Sequence, residues 1–204
     1  ILSVVFILSL SYLKRVSPES VILAGVALSA FFGAATMFLQ YFASDIQVAA
    51  TVFWTFGDIG KAGWKENLLM LFAFVLPFVY FVSIRWDLNA LQWGDETAQS
   101  LGVGVHRLRI LSMILCSAVV AVITSFLGII GFVGLISPHI LRLIIGGDYR
   151  FLIPYSAFFG ALFLLVSDII ARTILAPVVL PVGIITSFAG VPMFLYLLIK
   201  MRGT

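Results

Sequence analysis

Few side chains in this 204-residue chain could do chemistry: twelve lysines and arginines, nine aspartates and glutamates, two histidines and one cysteine. Cys116 sits in an apolar run with no second cysteine, which excludes an intramolecular disulfide and a cysteine-based metal cluster. His139 follows Pro138 directly. One imidazole is no metal site, so it reads as a structural side chain bonded to a neighbouring carbonyl or as a ligand without companions. His106, beside Arg107, reads as a surface residue. Asp168 and Arg172 stand four apart, on one face of a helix, in an otherwise uncharged stretch; such a pair is either functional or a satisfied structural pair. Asp95 and Glu96 suit the positive end of a short helix that Gly102 can close. That polar stretch is either a surface for a partner or a solvated connection. A Gly-x-x-x-x-Gly-Lys-Ser/Thr phosphate loop is missing. A membrane enzyme would need acids, bases or metal ligands clustered at one depth, and none is visible; neither a metal nor a cofactor is expected.

The elements that hold these residues belong in a bilayer. Apolar residues make up 62% of the chain and charged residues only 10%, with a mean hydropathy of +1.19. This composition excludes an ordinary soluble domain, disorder and nucleic-acid binding. Charge-free runs of 25 residues between Glu19 and Asp45, and of 32 between Arg109 and Arg142, are long enough to span. Spans are expected near 1–13, 20–43, 67–84, 110–127, 132–145, 151–170 and 186–199: an all-α polytopic protein with about seven crossings. The chain opens on Ile and is apolar up to Lys14, so it reads as beginning inside a span.

The run from Ile110 to Leu141 is the ambiguous one. A reversal at Gly128 and Gly131 would gather Lys14, Arg15, Arg85, Arg107, Arg109, Arg142, Arg150, Lys200 and Arg202 on one face, leaving Lys61, Lys65 and Arg172 on the other. Cytoplasmic loops collect basic residues, so two crossings are favoured, with the C-terminus cytoplasmic. The uncharged run 173–199 holds Pro177, Pro181, Gly183, Gly190 and Pro192, so a broken or re-entrant element is expected near 173–187. Ser-Ala-Phe-Phe-Gly-Ala occurs at 29–34 and at 156–161; small residues are favoured at helix contacts anyway, and coincidence explains the repeat.

Four segments give the chain a likeness. They are Gly94-Asp-Glu-Thr-Ala-Gln-Ser-Leu-Gly102; Gly131-Phe-Val-Gly134-Leu-Ile-Ser-Pro138-His139-Ile-Leu-Arg142; Asp168 and Arg172 running on through Ala176, Leu180-Pro181-Val182-Gly183 and Thr186; and Trp54, Gly57 and Trp64. Together they resemble the FecCD-like permease subunits of binding-protein-dependent ATP-binding-cassette importers for iron-siderophores, haem and vitamin B12. Val179 departs from the pattern, since an acid often precedes the Leu-Pro turn in that family.

The resemblance implies one permease domain over 1–204, corresponding to the C-terminal part of a ten-crossing protein, in a prokaryotic cell membrane. It implies a homodimer whose interface carries the metal chelate, two ATPase subunits on the cytoplasmic face and a substrate-binding protein outside. Within that frame 86–106 is the cytoplasmic coupling loop, with Gly94, Asp95, Glu96, Ala98, Leu101 and Gly102 meeting the ATPase. Arg172 would dock the binding protein. Gly33, Ala34, Trp54, Gly57 and Trp64 would line the path and its outer gate. Gly131, Gly134, Pro138, His139, Asp168, Pro181 and Gly183 would be structural. The alternative is a secondary transporter driven by an ion gradient, which would use intramembrane acids, of which Asp168 is the lone candidate.

Overall fold

The computed structural model describes residues 18–201. Nine α-helices follow one another among them: α1 (Pro18–Tyr41), α2 (Asp45–Thr55), α3 (Trp64–Ser83), α4 (Arg85–Leu91), α5 (Asp95–Ser100), α6 (Val105–Leu127), α7 (Val133–Ile145), α8 (Tyr149–Thr173) and α9 (Val182–Met201). A 3-10 turn occupies Ile59–Lys61. The chain is an all-α polytopic membrane protein. α1, α3, α6 and α8 are each long and apolar enough to cross a bilayer. The span expected at 1–13 lies outside the described residues.

One helix is unexpected, one keeps its expected bounds near 132–145 but is short for a crossing, and the irregular late segment ends earlier than 187. The stretch between the first two described spans holds α2, where Ser44 N–H donates to Gln47 Oε1 at 3.0 Å, half of a reciprocal capping arrangement. α7 has 13 residues, about 20 Å, and falls short of a core of about 30 Å. It begins part-way down, after the irregular residues 128–132. The irregular part of the late segment is 174–181; from Val182 onward the chain is already helical, and Leu180 N–H returns to Ala171 O at 3.0 Å.

The chain does reverse after α6. Gln92 Nε2 donates to Gly147 O at 2.7 Å, so the far end of α7 meets the turn between α4 and α5, on the side where Arg109 ties α5 to the start of α6. At the opposite end Phe56 pairs with Ile129, and Asp58 N–H donates to Leu127 O at 2.9 Å. The basic residues around 107–109 and 142–150 therefore share one end, as the two-crossing reading requires.

Packing is arranged for lipid rather than water. Large apolar side chains such as Phe72, Leu76, Phe158 and Ile169 face outward, while small and hydroxyl residues lie inside. Ser137, Ser167, Ala171 and Thr186 are buried, and the last is fully so. Lipid tails are as apolar as leucine, so helices gain by close contact rather than by hiding apolar surface. α8 approaches α7 at Gly160, where an added Cβ would lie 3.2 Å from Ser137 Oγ. Gly33, its counterpart in the repeated hexapeptide, has nothing within 4 Å of that position.

Candidate functional site

Two groups of candidate residues lie at opposite ends of the bundle. The first is built on α4 and α5. Gly94 precedes α5 at φ 103°, and Asp95 and Glu96 occupy its first turn, where carboxylates meet the free N–H groups. The helix closes as a Schellman motif. Val103 N–H donates to Ala98 O at 3.0 Å and Gly102 N–H to Gln99 O at 2.9 Å, with Gly102 at φ 86°, which a side chain would oppose. Ala98 is fully buried beneath the helix, whereas Glu96 and Leu101 are exposed. Arg109 Nη2 reaches both Asp95 oxygens at 3.0 and 3.1 Å, tying α5 to the first turns of α6.

A second set of contacts at this end escaped the sequence reading. Asn89, on α4, uses both atoms of its amide: Nδ2 donates to Asp148 Oδ1 and Oδ1 accepts from Tyr149 N–H, each at 2.8 Å. Gln92 Nε2 adds Asn89 Oδ1 at 3.2 Å to its bond with Gly147 O. Asp148 also caps α8 through Arg150 N–H at 2.9 Å and accepts from Arg150 Nε at 2.8 Å. The Arg150 guanidinium lies 4.6 Å above the Trp86 ring. Hydrogen bonds from Arg150, then from Asn89, hold the Asp148 carboxyl far below the usual carboxylate range. Nothing local in the sequence around Asp148 points to residues almost sixty positions away.

At the other end three irregular backbones converge. Gly183 N–H donates to Gly57 O at 2.9 Å, and Gly57 lies against Ile129 O so closely that a Cβ there would overlap it. Gly128, at φ 77°, stands against Trp54 O in the same way. Phe132 takes the left-handed φ of 67° and leans on Gly190 of α9. Here Gly57, expected at a gate, and Gly183, expected to be structural, are brought into contact; Trp64 stands apart as the 92% exposed first residue of α3. Lys61 Nζ caps α2, donating to Phe53 O and Phe56 O at 3.0 Å. A cleft of about 600 Å³ opens beside this junction, lined by Phe56, Gly57, Ile129, Ile184, Phe188 and Pro192 among others.

Asp168 and Arg172 do pair, Nε to Oδ2 at 2.7 Å, on the last turns of α8. The arginine's Nη2 lies 3.1 Å from where a Gly60 side chain would begin, so it borders the 3-10 turn. Arg172 is about half exposed while Asp168 is largely covered. Gly131, Pro138 and His139 are half-buried and Gly134 is exposed. Gly33 and Ala34 belong to α1, whose Ile22, Phe31, Met37 and Phe38 are open to the surroundings. Pro181 immediately precedes α9. Among the described residues there is no group of three metal-ligating side chains.

Comparison with known proteins yields a consistent set. The model of the FecCD transport family matches residues 1–200. A protein of Methanocaldococcus jannaschii named as an ABC transporter permease is 58% identical over 201 residues, covering 98% of this chain and 58% of that relative. The hemin transport system permease protein of Yersinia pestis is 39% identical, covering 89% of this chain and 54% of its own length. The vitamin B12 import system permease protein of Vibrio vulnificus is 37% identical, covering 91% and 56%. A solved structure described as an inward-facing conformation of a metal-chelate type ABC transporter superposes with a TM-score of 0.88 at 31% identity, over 97% of this chain and 63% of that one. The chain thus spans between half and two thirds of the length of these relatives.

Proposed function

The chain belongs to the FecCD transport family, and on that premise we propose that it serves in the permease subunit of a binding-protein-dependent ATP-binding-cassette importer for a metal chelate of the iron-siderophore, haem or cobalamin type. Two copies form the path, separate ATPase subunits drive it, and a substrate-binding protein delivers the cargo. The protein sits in a prokaryotic cell membrane with its C-terminus and residues 86–106 in the cytoplasm.

The observation that carries this reading is α5. It is a short helix, closed at its C-terminal end by Gly102 and tied down by the Asp95–Arg109 pair, that offers Glu96 and Leu101 outward between two spans. A rigid element so placed can pass movement of an ATPase to α3 and α6 on either side. Gly94 and Gly102 shape it, and Ala98 seats it. The outward apolar residues of α1, together with the empty space at Gly33, support a second copy meeting the chain along Gly33 and Ala34. The junction at Gly57, with Trp54 against it through Gly128, forms the outer gate, and Trp64 stands exposed at its edge. Arg172 receives a carboxylate of the binding protein, since its planar guanidinium pairs bidentately and keeps its charge. A cleft walled by apolar and small residues suits a bulky chelate, whereas a bare metal ion would need fixed oxygen or nitrogen ligands.

Reconstitution tests the proposal. The permease, its ATPase and its binding protein in one vesicle preparation should take up one of an iron-siderophore, haem or cobalamin in an ATP-dependent manner. Uptake that follows a proton gradient and ignores ATP would overturn it in favour of a secondary transporter.

A further inference from the structure

We propose that Asn89 is a positioning residue that locks the α4–α5 unit to the base of α8, so that the coupling element and the helix ending in Arg172 move as one body. This rests on reading α5 as the ATPase contact, and concerns what happens after that contact is made.

Asn89 is the one side chain whose two polar atoms both cross from α4 to the start of α8. Its Nδ2 holds the Asp148 carboxylate and its Oδ1 holds the Tyr149 N–H, at 2.8 Å each. Asp148 is the N-cap of α8 and Tyr149 its first residue, so the amide grips the helix backbone with one atom and the capping carboxylate with the other. Gln92, one turn further along α4, grips Gly147 O and braces Asn89 Oδ1. Trp86, one turn before Asn89, lies under the Arg150 guanidinium. Two side chains of the seven-residue α4 and that of its C-cap, Gln92, therefore meet four consecutive residues, Gly147 to Arg150. α5 begins three residues after Gln92 and is fixed by its own bonds.

From that end α8 runs for 25 residues, about 37 Å, to the Asp168–Arg172 pair beside the 3-10 turn. A displacement of α5 applied at one end would then reach the turn beside the gate without passing through the α6–α7 break. The polarity of the grip is specific. Asn89 must donate to Asp148 and accept from Tyr149, and an aspartate at 89 would set two carboxylates face to face.

The test uses the permease–ATPase complex in nanodiscs with spin labels on Gln99 (α5) and Thr173 (the outer end of α8), both exposed. With only one of the two copies labelled, the label separation in the parent should be a single narrow distribution, unchanged between the nucleotide-free and ATP–vanadate states. Asn89→Asp should lose that single population or shift it on ATP–vanadate, with ATPase still bound. A narrow, nucleotide-independent distance in Asn89→Asp, or a parent distance that moves with nucleotide, overturns the proposal. If Asn89→Asp does not accumulate in membranes, Gln92→Ala, which removes only the brace and the Gly147 bond, should broaden the distribution; an unchanged one overturns the lock. Failure of the ATPase to bind even the parent would instead refute the coupling role of α5, and the nucleotide-free distributions would still decide the role of Asn89.

Discussion

Replacing Gly57 with alanine should cost the fold about 2–4 kcal/mol, and the reason lies wholly in backbone. The added Cβ would lie 2.9 Å from the Ile129 carbonyl carbon, nearer still to its oxygen and to Ile130 Cγ1. The Ile130 side chain can turn away, but a carbonyl held in a bridge between two segments cannot. Either residues 127–129 or residues 56–58 must move. That movement stretches Asp58 N–H to Leu127 O and Gly183 N–H to Gly57 O, both 2.9 Å. Overpacking of this kind costs about 1–3 kcal/mol, and weakening one backbone hydrogen bond about 1 kcal/mol more. For a chain of this size that corresponds to a fall of roughly 4–16 °C in unfolding temperature. Gly128→Ala should cost at least as much, because a φ of 77° adds strain to its approach on Trp54 O. Gly134→Ala supplies the contrast: the residue is exposed in a helix with nothing within 4 Å, so alanine should be neutral or gain up to about 1 kcal/mol. Thermal unfolding of the three purified variants in one detergent ranks them directly. An unfolding temperature for Gly57→Ala within about 2 °C of the parent would refute the close-approach argument.

Other outcomes follow from the same geometry. Glu96→Ala with Leu101→Ala should abolish ATP-driven uptake while the permease still reaches the membrane, read by uptake against membrane abundance. Arg172→Glu should weaken capture of the binding protein in a pull-down, and an arginine at the facing acidic position of that protein should restore it. Cysteines placed singly along 30–45 should join two copies, in a pattern that changes between the nucleotide-free and ATP-bound complex, as seen by gel mobility.

Much of the fold was legible because lipid imposes a coarse rule. Charge-free length marks a span, and α1, α3, α6 and α8 lie close to where that rule put them. The rule falters where a helix does not need to reach across. α7 is preceded by five irregular residues, of which Ile129 bridges Phe56, while the adjoining Leu127 carbonyl accepts from Asp58 N–H rather than from a continuing helix. Hydropathy cannot register such an exchange, because the residues on both sides are equally apolar. α2 was missed for a different reason. Eleven residues are too few to count as a span, although Ser44 and Gln47 were already placed to cap a helix.

The chemistry of the two ends was unevenly readable, and the unevenness follows from what a sequence records. Asp168 and Arg172 are four apart on one helix, so helical geometry alone brings them within reach, and they pair at 2.7 Å. Asp95 and Gly102 likewise carry their meaning locally, as the start and stop of α5. Asn89 has no such local meaning. An amide is uncharged, ordinary in a polar stretch, and silent in any count of charges or periodicity. Its importance arises only when α7 turns the chain back and sets Gly147 to Arg150 beside α4. Since membrane interiors leave so few charged groups to do the joining, neutral side chains with a donor and an acceptor on adjacent atoms are the economical way to fix one helix end against another. Residues of that kind, at the ends of spans and between elements distant in sequence, are where a reading of charge and hydropathy must fall silent and the geometry becomes decisive.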